Sequence, residues 1–527
     1  MPVRFREKIQ KMLRKIIFNK TGSLIISSAL LLVISYPPFN IWPAAWLAFI
    51  PIFNAAEGKS GRQTAFIFLC CGFLFWLGTI SWLSAVTLPG MLLLCAYLAL
   101  YFACFGFLFS FSRRLSRAFA PLFLASAWVA LEYFRSRLLT GFPWALLGHT
   151  QYLNLPAIQI ADITGIWGVS FAVMVFNAAF YPVFSGRLAL DAAAGRIAPA
   201  LVCVMAVLTY GLFRLFTPPV AGDFGIALIQ ANIPQELKWA VSSRDFIVNK
   251  FLGISAEAVI KDKPDLVIWP EASFPELMGR DTALYSKLRD SVREWKVPLL
   301  FGAVAQEDGG YYNSAFLLSS GGELSDEYRK IHLVPFGEFI PFRKTFGFLE
   351  TVVPIGDFYP GREFKVFTVN GRDKDNKERQ YKFAVLICFE DTFPDLSRRF
   401  VREGAGFLVN ITNDAWFGRS GAPFQHLQSS VFRAVENRVW VARAANTGVS
   451  AVIDSKGNIK SVVRDRQGRA IFSEGYLIYR VGSIEPGGSF YTRNGDILVY
   501  LCCVFVFSGG LWVFFLEKLS RRRNKLK

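Results

Sequence analysis

The sequence predicts two architectures in one chain: a polytopic α-helical membrane domain and a water-exposed domain in which strands and helices alternate. Hydrophobic residues make up 53% of the 527 residues, and phenylalanine alone occurs 52 times. Several windows approach the roughly 20 apolar residues that cross a bilayer as a helix. Between residues 221 and 487 the pattern changes to short β-rich runs alternating with helical stretches. A chain of this length is expected to form more than one domain.

The apolar windows predict about eight membrane spans, seven before the long polar segment and one after it. They lie near residues 22–35, 42–53, 64–86, 91–110, 121–134, 165–184, 198–216 and 497–516. A basic start followed by an apolar core is also the pattern of a cleaved signal peptide. Because the first span runs into Tyr36 and two prolines, and further spans follow, we interpret it as a retained helix.

The distribution of basic residues predicts the orientation of these spans. The net charge is +18, and much of it lies at the two ends of the chain. Loops after the second, fourth and sixth spans carry Lys or Arg, those after the first and third carry neither, and Arg135 with Arg137 after the fifth is a mild exception. Because basic loops stay in the cytoplasm, we expect both termini there and residues 221–487 on the opposite side. Basic clusters flanking apolar spans favour anionic lipid over nucleic acid as a partner.

The segment 221–487 predicts an α/β or α+β domain in which helices cover sheets. Strands are predicted over residues 225–231, 265–269, 299–304, 314–319, 383–387, 407–411 and 439–445, and helices over 244–261, 282–295 and 426–436. The hydrophilic run from 371 to 380 predicts a solvated loop or hairpin tip. The predicted division is a membrane domain over 1–220, this domain over 221–487, and a final span with a basic tail over 488–527.

Cys388 directly follows the apolar run 383–387, within YKFAVLICFEDTF. The other seven cysteines lie in apolar windows, so Cys388 has no disulfide partner in the water-exposed domain. A free cysteine is either a small buried hydrophobic residue or a reactive thiol. Its residue type alone favours burial, whereas the end of a strand is also a common place for a nucleophile. Glu390 and Asp391 follow it closely.

Two further strand ends carry charges that complement a thiol. In DLVIWPEASFPE a strand ends at Trp269 and presents Glu271, which alone would be a helix cap or a surface residue. In EYRKIHLVPFGEFIP, Lys330 is followed by Glu338, which alone would be a solvated charge pair. Together with Cys388 these residues supply a base, a cation and a nucleophile, the parts that acyl transfer through a thioester requires.

Other catalytic chemistries have weaker support in the sequence. The three histidines are His149, His332 and His426, with no HExxH pattern and no Cys/His cluster of metal-ligand spacing. Pairing of His332 or His426 with Cys388, as in papain-like enzymes, has no surrounding motif to support it. No glycine-rich phosphate loop occurs, so no metal, nucleotide or other cofactor is expected.

The three strand-end motifs resemble the Glu-Lys-Cys triad of the nitrilase, or carbon-nitrogen hydrolase, superfamily. They are WPEAS with Glu271, YRKIHLVPFGEFIP with Lys330 and LICFEDTFP with Cys388. The sequences LEYFRSRLLTGFPW and DITGIWGVSF, followed by this domain and one last span, resemble the apolipoprotein N-acyltransferase family over essentially the whole chain. The resemblance implies an αββα sandwich on a helical domain in the bacterial inner membrane, with the catalytic domain on the periplasmic side.

The resemblance also implies roles for individual residues. Glu271 would be the general base, Lys330 the oxyanion stabiliser and Cys388 the acyl-accepting nucleophile. Supporting acidic and aromatic positions are matched by Glu338, Glu390, Trp239, Trp416 and Phe389. The last of these stands where the best-known members have tyrosine, so a ring contact is kept and a phenol hydroxyl is lost.

The reaction implied by the resemblance is a ping-pong acyl transfer. Cys388 would take an acyl chain from a membrane glycerophospholipid and pass it to the α-amino group of the N-terminal diacylglyceryl-cysteine of an apolipoprotein. No cofactor is needed, because the phospholipid ester is already an activated donor. Two other classes stay open: a membrane-tethered nitrilase-like amidase acting on a small amide, and a transporter or binding protein with a catalytically inactive domain.

The segment between the Lys330 and Cys388 motifs, FRKTFGFLETVVPIGDFY, is rich in aromatic residues. One interpretation is an ordinary loop that connects two strands. The other is a lid at the bilayer interface that keeps hydrocarbon covered while a lipid-anchored substrate enters. Its members would be Phe342, Phe346, Phe348, Leu349 and Phe358.

Overall fold

The computed structural model divides into two compact units, and the second is inserted into the first. The described residues are 19–238, 240–279, 282–340, 358–372, 375, 377–483 and 487–525. The first unit comprises residues 1–214 with 496–527, and the second comprises residues 215–495. The first unit is thus built from both ends of the chain.

The first unit is helical in its described residues. Its α-helices before the inserted unit are α1 (Lys20–Ile34), α2 (Ile50–Ala56), α3 (Gly61–Thr79), α4 (Leu88–Ser112), α5 (Phe119–Arg135), α6 (Leu155–Ile158), α7 (Ala161–Thr164), α8 (Ile166–Phe184) and α9 (Ala194–Phe216). A last helix, Ile497–Lys525, follows the inserted unit and packs against α5. This arrangement agrees with the predicted helical membrane domain.

Among the described residues, five helices are long and apolar enough to cross a membrane. They are Gly61–Thr79, Leu88–Ser112, Ile166–Phe184, Ala194–Phe216 and Ile497–Phe515. The predicted count of about eight spans is therefore not confirmed, although helices occur at all eight positions. The second predicted span is divided because Pro43 and Pro51 each lie in the first turn of a separate short helix, where proline is favoured.

Helices α3 and α4 approach each other closely where glycine removes a side chain. A Cβ at Gly72 would lie 2.6 Å from Phe102, and one at Gly106 would lie 2.8 Å from Phe68. Small residues at helix interfaces are typical of membrane proteins, where close packing replaces the hydrophobic driving force. Aromatic rings fill the neighbouring space; Phe53, for example, stacks on Phe109 with centroids 4.8 Å apart.

The second unit contains two mixed β-sheets. The strands are β1 (Phe224–Gln230), β2 (Leu266–Ile268), β3 (Leu277–Met278), β4 (Leu299–Glu307), β5 (Gly310–Leu318), β6 (Leu324–Arg329), β7 (Val366–Arg372), β8 (Glu378–Ile387), β9 (Phe407–Thr412), β10 (Trp440–Ala445), β11 (Ala451–Ile453), β12 (Ile459–Val462) and β13 (Gly475–Val481). The first sheet has the order β13-β1-β2-β4-β5-β6 with β3 beside β4, and the second has the order β12-β11-β10-β9-β8-β7. Parallel pairs occupy the centre of each sheet, which explains the continuous apolar runs of β1, β8 and β9.

The two sheets face each other and carry helices on their outer sides. Phe224 of β1 contacts Tyr381 of β8 at 4.5 Å between ring centroids and Phe407 of β9 at 5.8 Å. The helices are α10 (Arg244–Asp262) and α11 (Ala283–Trp295) on the first sheet, α12 (Pro394–Arg402) and α13 (Ala422–Asn437) on the second, and a short α14 (Phe490–Asn494). The αββα sandwich implied by the resemblance is therefore confirmed.

The hydrophilic run that was predicted as a loop or hairpin tip is partly strand, since its first two residues belong to β7 and its last three to β8. Strands β7 and β8 pair antiparallel up to Arg372 and Glu378, which places the hydrophilic run at the end of a hairpin. Strands β3, β6, β7, β11, β12 and β13 were not predicted, since most are short or carry polar residues and lack a continuous apolar run.

Candidate active site

Glu271 and Lys330 lie beyond the ends of two strands of the first sheet that are not adjacent to each other. Glu271 lies after β2 and Lys330 directly after β6, and Lys330 Nζ is 3.6 Å from Glu271 Oε1. The same ammonium lies 2.9 Å from both carboxylate oxygens of Glu338. The Lys330 side chain is only 1% exposed. Lys330 and Glu338 are therefore a buried pair and not the solvated charge pair considered above.

Lys330 keeps its positive charge despite its burial. Burial opposes the ammonium form, but the carboxylates of Glu338 and Glu271 outweigh it and raise the pKa of Lys330 above its ordinary value. A buried cation with fixed partners is a preorganised source of positive charge. Lys330 is thus suited to stabilise negative charge that develops next to it.

Cys388 belongs to the same charged centre. Burial and the Glu271 carboxylate raise the pKa of its thiol, against the opposite effect of Lys330. The thiol is therefore protonated near neutral pH until a base removes the proton. Cys388 also has a φ of 55°, a left-handed conformation that is uncommon for residues other than glycine. Such a conformation costs about 1–3 kcal/mol and persists only where surrounding contacts enforce it.

Two asparagines hold the Glu271 carboxylate in place. Asn313 of β5 donates from Nδ2 to Glu271 Oε1 at 2.8 Å and to Glu338 Oε1 at 2.8 Å. The main-chain N–H of Asn413, just after β9, donates to Glu271 Oε2 at 2.9 Å. Both oxygens of Glu271 are thus oriented by residues from the two different sheets.

Glu390 connects the Lys330 loop with the Cys388 loop. Its Oε1 accepts hydrogen bonds from the Tyr328 hydroxyl at 2.8 Å and from the main-chain N–H groups of Ile331 and His332 at 2.7 and 3.0 Å. Its Oε2 accepts from the Ile387 N–H at 2.7 Å. Burial raises the pKa of Glu390 to about 7, although these donors act against it. Glu390 therefore fixes the distance between the residue before Cys388 and the residue after Lys330.

Behind Cys388 lies a buried set of four charged side chains, which we call the backing cluster: Asp391, Asp414, His426 and Arg443. His426 lies 2.9 Å from Asp391 Oδ1 through Nε2 and 3.0 Å from Asp414 Oδ1 through Nδ1. Arg443 donates to Asp391 Oδ2 at 3.2 Å and to Asp414 Oδ2 at 3.0 Å. The cluster reaches Cys388 through His426 Nε2, which lies 3.1 Å from the Cys388 carbonyl oxygen.

The backing cluster holds two positive and two negative charges. Burial and Arg443 oppose a charge on His426, but Asp391 and Asp414 outweigh them and raise its pKa to about 9. Burial opposes the charge of Asp414, but Arg443 and His426 outweigh it and lower its pKa to about 2. The raised pKa favours the imidazolium form of His426, against the Arg443 Nη2 group that lies 2.7 Å from its Nδ1. His426 Nε2 contacts the main-chain oxygen of Cys388, so His426 is not the thiol's partner in a papain-like pair.

The aromatic residues predicted near the site are only partly described. Phe389 is buried, and its ring meets that of Phe393 edge-on at 5.2 Å. Trp416 is 53% exposed, and Phe358 is half-buried and bonds through its N–H to the Glu338 carbonyl at 3.0 Å. The predicted positions outside the described residues are Trp239, Phe342, Phe346, Phe348 and Leu349.

Sequence reasoning missed the residues that orient the centre. Asn313 is a polar residue within the apolar run of β5, which was a usable signal. Lys238 directly precedes Trp239 and Asn413 lies three residues before Trp416, so both are next to positions that the resemblance identified. Lys238 donates from Nζ to the main-chain oxygen of Glu271 at 3.0 Å.

Comparison with known proteins agrees with this architecture. Residues 28–179 match the family model described as apolipoprotein N-acyltransferase N-terminal domain, and residues 225–471 match the carbon-nitrogen hydrolase model. A protein named apolipoprotein N-acyltransferase from Geobacter metallireducens is 39% identical over 504 residues, covering 91% of this chain and 92% of that protein.

The chain belongs to the apolipoprotein N-acyltransferase family.

Other members extend the match. Relatives named apolipoprotein N-acyltransferase from Nitrosomonas europaea and Thermotoga maritima are 33% and 31% identical, over 94% and 95% of this chain and 97% and 95% of theirs. Among solved structures, an amidase from Nesterenkonia sp. is 18% identical with a TM-score of 0.37, and the match covers 54% of this chain and 98% of that chain. This chain is a membrane protein with several apolar helices.

Proposed function

We propose that this protein transfers an acyl chain from a membrane glycerophospholipid to the α-amino group of the N-terminal diacylglyceryl-cysteine of apolipoproteins. The observation that carries the proposal is the centre formed by the buried Glu271 and Lys330 with the half-buried Cys388, in a chain of this family. The named activity of the relatives supports the acyl acceptor and the membrane setting.

The first half-reaction makes a thioester at Cys388. Glu271 takes the thiol proton, and the thiolate attacks the ester carbonyl carbon of the phospholipid. Lys330 stabilises the negative charge on the carbonyl oxygen in the tetrahedral intermediate. When the intermediate collapses, the ester C–O bond breaks and the departing alkoxide takes the proton from Glu271, which releases a lysophospholipid.

The second half-reaction passes the acyl chain to an amine. The neutral α-amino group attacks the thioester carbonyl, and Lys330 again stabilises the oxyanion. The C–S bond then breaks, an amide forms, and Glu271 accepts the amine proton and returns it to the Cys388 thiolate. The enzyme is restored without net gain or loss of protons, and the raised pKa of the Cys388 thiol favours its reprotonation.

The membrane unit explains how both substrates reach one site. Both carry hydrocarbon chains in the bilayer, so a catalytic unit held at the membrane surface meets them without extracting them fully into water. We propose that the catalytic unit lies on the periplasmic side of the inner membrane, with both termini in the cytoplasm, as the loop charges predict. Reporter fusions after residue 218 and at the C-terminal end would test this: a cytoplasmic signal from the first, or a periplasmic signal from the second, contradicts the topology.

The central experiment tests the acyl-enzyme directly. The purified protein is incubated with glycerophospholipid vesicles, and the peptide that contains Cys388 is analysed by mass spectrometry. An acyl adduct that disappears when a diacylglyceryl lipopeptide is added, with an N-acylated lipopeptide as product, is the expected result. An amidase would hydrolyse a small amide and form no phospholipid-derived adduct. A transporter would form neither product, and either of these results would overturn the proposal.

A further inference from the structure

Lys238 is a second buried lysine at the Glu271 centre, and it has no role in the mechanism above. It is 3% exposed and lies in the loop that follows β1. That loop is tied to the second sheet, since Ile233 and Asn446 exchange two hydrogen bonds of 2.8 Å and Asn413 donates to Gln235 at 2.9 Å. Lys238 is therefore held in place by contacts at several points along its loop.

The ammonium of Lys238 points at the proposed base from its main-chain side. Nζ donates to the Glu271 carbonyl oxygen at 3.0 Å. The ionisable groups that face it are Glu271 and Cys388, both of which interact with it electrostatically. Lys330 and Glu338 join the group through Glu271. We call the four charged residues of this group the reactive cluster: Glu271, Glu338, Lys330 and Lys238.

The charges of the reactive cluster balance only when Lys238 is counted. Glu271 and Glu338 contribute two negative charges, and Lys330 contributes one positive charge. Without Lys238 the centre would carry an excess negative charge beside the place where a thiolate and then an oxyanion form. A nearby like charge opposes both species, and a nearby opposite charge favours them.

We propose that Lys238 is a positioning residue for the acyl transfer described above: it holds the main chain of Glu271 and supplies the second positive charge that allows a thiolate to form at Cys388. This inference rests on the proposed function. It assigns Lys238 no contact with the substrate, because its hydrogen bond is to Glu271 and its interaction with Cys388 is electrostatic.

The test is the rate at which Cys388 reacts with iodoacetamide, followed by mass spectrometry of its peptide in the full-length protein. At pH 7 we expect Lys238→Met to react about tenfold more slowly than the wild type, since one nearby charge shifts a pKa by about one unit or more. Lys238→Arg should restore most of the rate. The matched control is Lys456→Met, because Lys456 is also buried and also donates to a main-chain carbonyl, that of Leu215. In the Lys456→Met variant, Cys388 should react with iodoacetamide at the wild-type rate.

The pH dependence separates a charge effect from a packing effect. Burial lowers the pKa of Lys238 to about 8. The positive charge is therefore present below pH 8 and is lost above it, so the ratio of wild-type to Lys238→Met rates should shrink towards one between pH 7 and pH 10. The wild type alone should show a break in its rate profile near pH 8, which keeps the test valid if the variant fails to fold.

Two results would overturn the inference: equal rates at pH 7 in a folded Lys238→Met variant, or a slower rate whose ratio to wild type does not change with pH. The second result would make Lys238 a packing residue. Because iodoacetamide needs no lipid substrate, these results are independent of acyl transfer. If Cys388 reacts with iodoacetamide as expected in the Lys238 variants but forms no phospholipid-derived adduct, the proposed function is contradicted instead.

Discussion

The reactive cluster and the backing cluster contain the same charges but contact Cys388 on different groups. Each has two carboxylates and two cations. Glu271 and Lys330 of the reactive cluster have the larger electrostatic effects on the thiol, and Asp414 of the backing cluster adds a smaller one. The backing cluster bonds to the carbonyl oxygen through His426, and each of its side chains is 2% exposed or less. The comparison teaches that charge composition does not distinguish a chemical role from a structural one, whereas the atom contacted does.

The largest expected effect follows from replacing Cys388, the residue on which both clusters act. Cys388→Ser should abolish acyl transfer, because a serine hydroxyl is far less ionised than a thiol and needs stronger activation than a carboxylate provides. Transfer from phospholipid to a diacylglyceryl lipopeptide is the measurement. Near-normal turnover by the serine variant would show that Cys388 is not the nucleophile.

Changes within the reactive cluster should affect rate and leave the fold intact. Glu271→Gln and Lys330→Ala should each slow formation of the thioester, and the loss of one oxyanion-stabilising group typically costs about 10²–10³ in rate. The rate of Cys388 acylation and the circular dichroism spectrum would be recorded on the same samples. Thioester formation at the wild-type rate by either variant would remove that residue from the mechanism.

Changes within the backing cluster should affect stability and its pH dependence. The raised pKa of His426 means that its stabilising effect is complete below about pH 6.5 and is lost as the pH rises through about 9. The loss amounts to about 3 kcal/mol at most over that interval. The apparent melting temperature of the solubilised protein should therefore fall between pH 6.5 and pH 9.

The His426→Gln variant is the control for this pH effect. It should start from a lower melting temperature at pH 6.5 and change little up to pH 9, since no imidazolium remains to titrate. A variant that keeps the wild-type slope would show that another group causes the pH dependence. A variant with wild-type stability and slower chemistry would contradict the division of roles between the two clusters.

The smallest expected effect lies outside both clusters, in the predicted lid. Replacing Phe346, Phe348 and Leu349 with serine should slow transfer from phospholipid, because apolar cover for the acyl chain is lost. Reaction of Cys388 with a small soluble thiol reagent should be unchanged or faster. If both rates fall together, the segment supports the fold of the domain and the lid hypothesis is wrong.

The sequence was sufficient to predict those parts of the site that have a local signal. Glu271 and Cys388 each follow an apolar run, and this pattern identified both strand ends, whereas the strand before Lys330 is polar and was not predicted. Asn313 and Asn413 come close to Glu271 only through the pairing of strands and sheets, which residue spacing does not encode. The sequence did not predict the left-handed backbone conformation of Cys388 either, since that conformation depends on contacts made by its neighbours.

Helix length limited the prediction of the membrane unit in a similar way. Hydropathy located the long helices but not the short α6 and α7, and it did not show that Pro43 and Pro51 divide one window into two short helices. The position of His426 between two aspartates was not predicted from the sequence either, because it requires three separate segments of the second unit to converge. Composition therefore predicts which segments are buried, whereas the length of each helix and the contacts of its buried side chains depend on packing.

The division of the membrane unit between the two ends of the chain has a consequence for biosynthesis. Asp496, which precedes the last helix, accepts a hydrogen bond from the buried Trp167 Nε1 at 2.9 Å and lies 3.2 Å from Arg137. A ribosome makes these earlier residues first and reaches Asp496 only after the whole catalytic unit has been synthesised, and domains generally fold in the order of synthesis. A stop codon after residue 495 would therefore release a catalytic unit of full length on a membrane unit that lacks its last helix and the acceptor for Trp167.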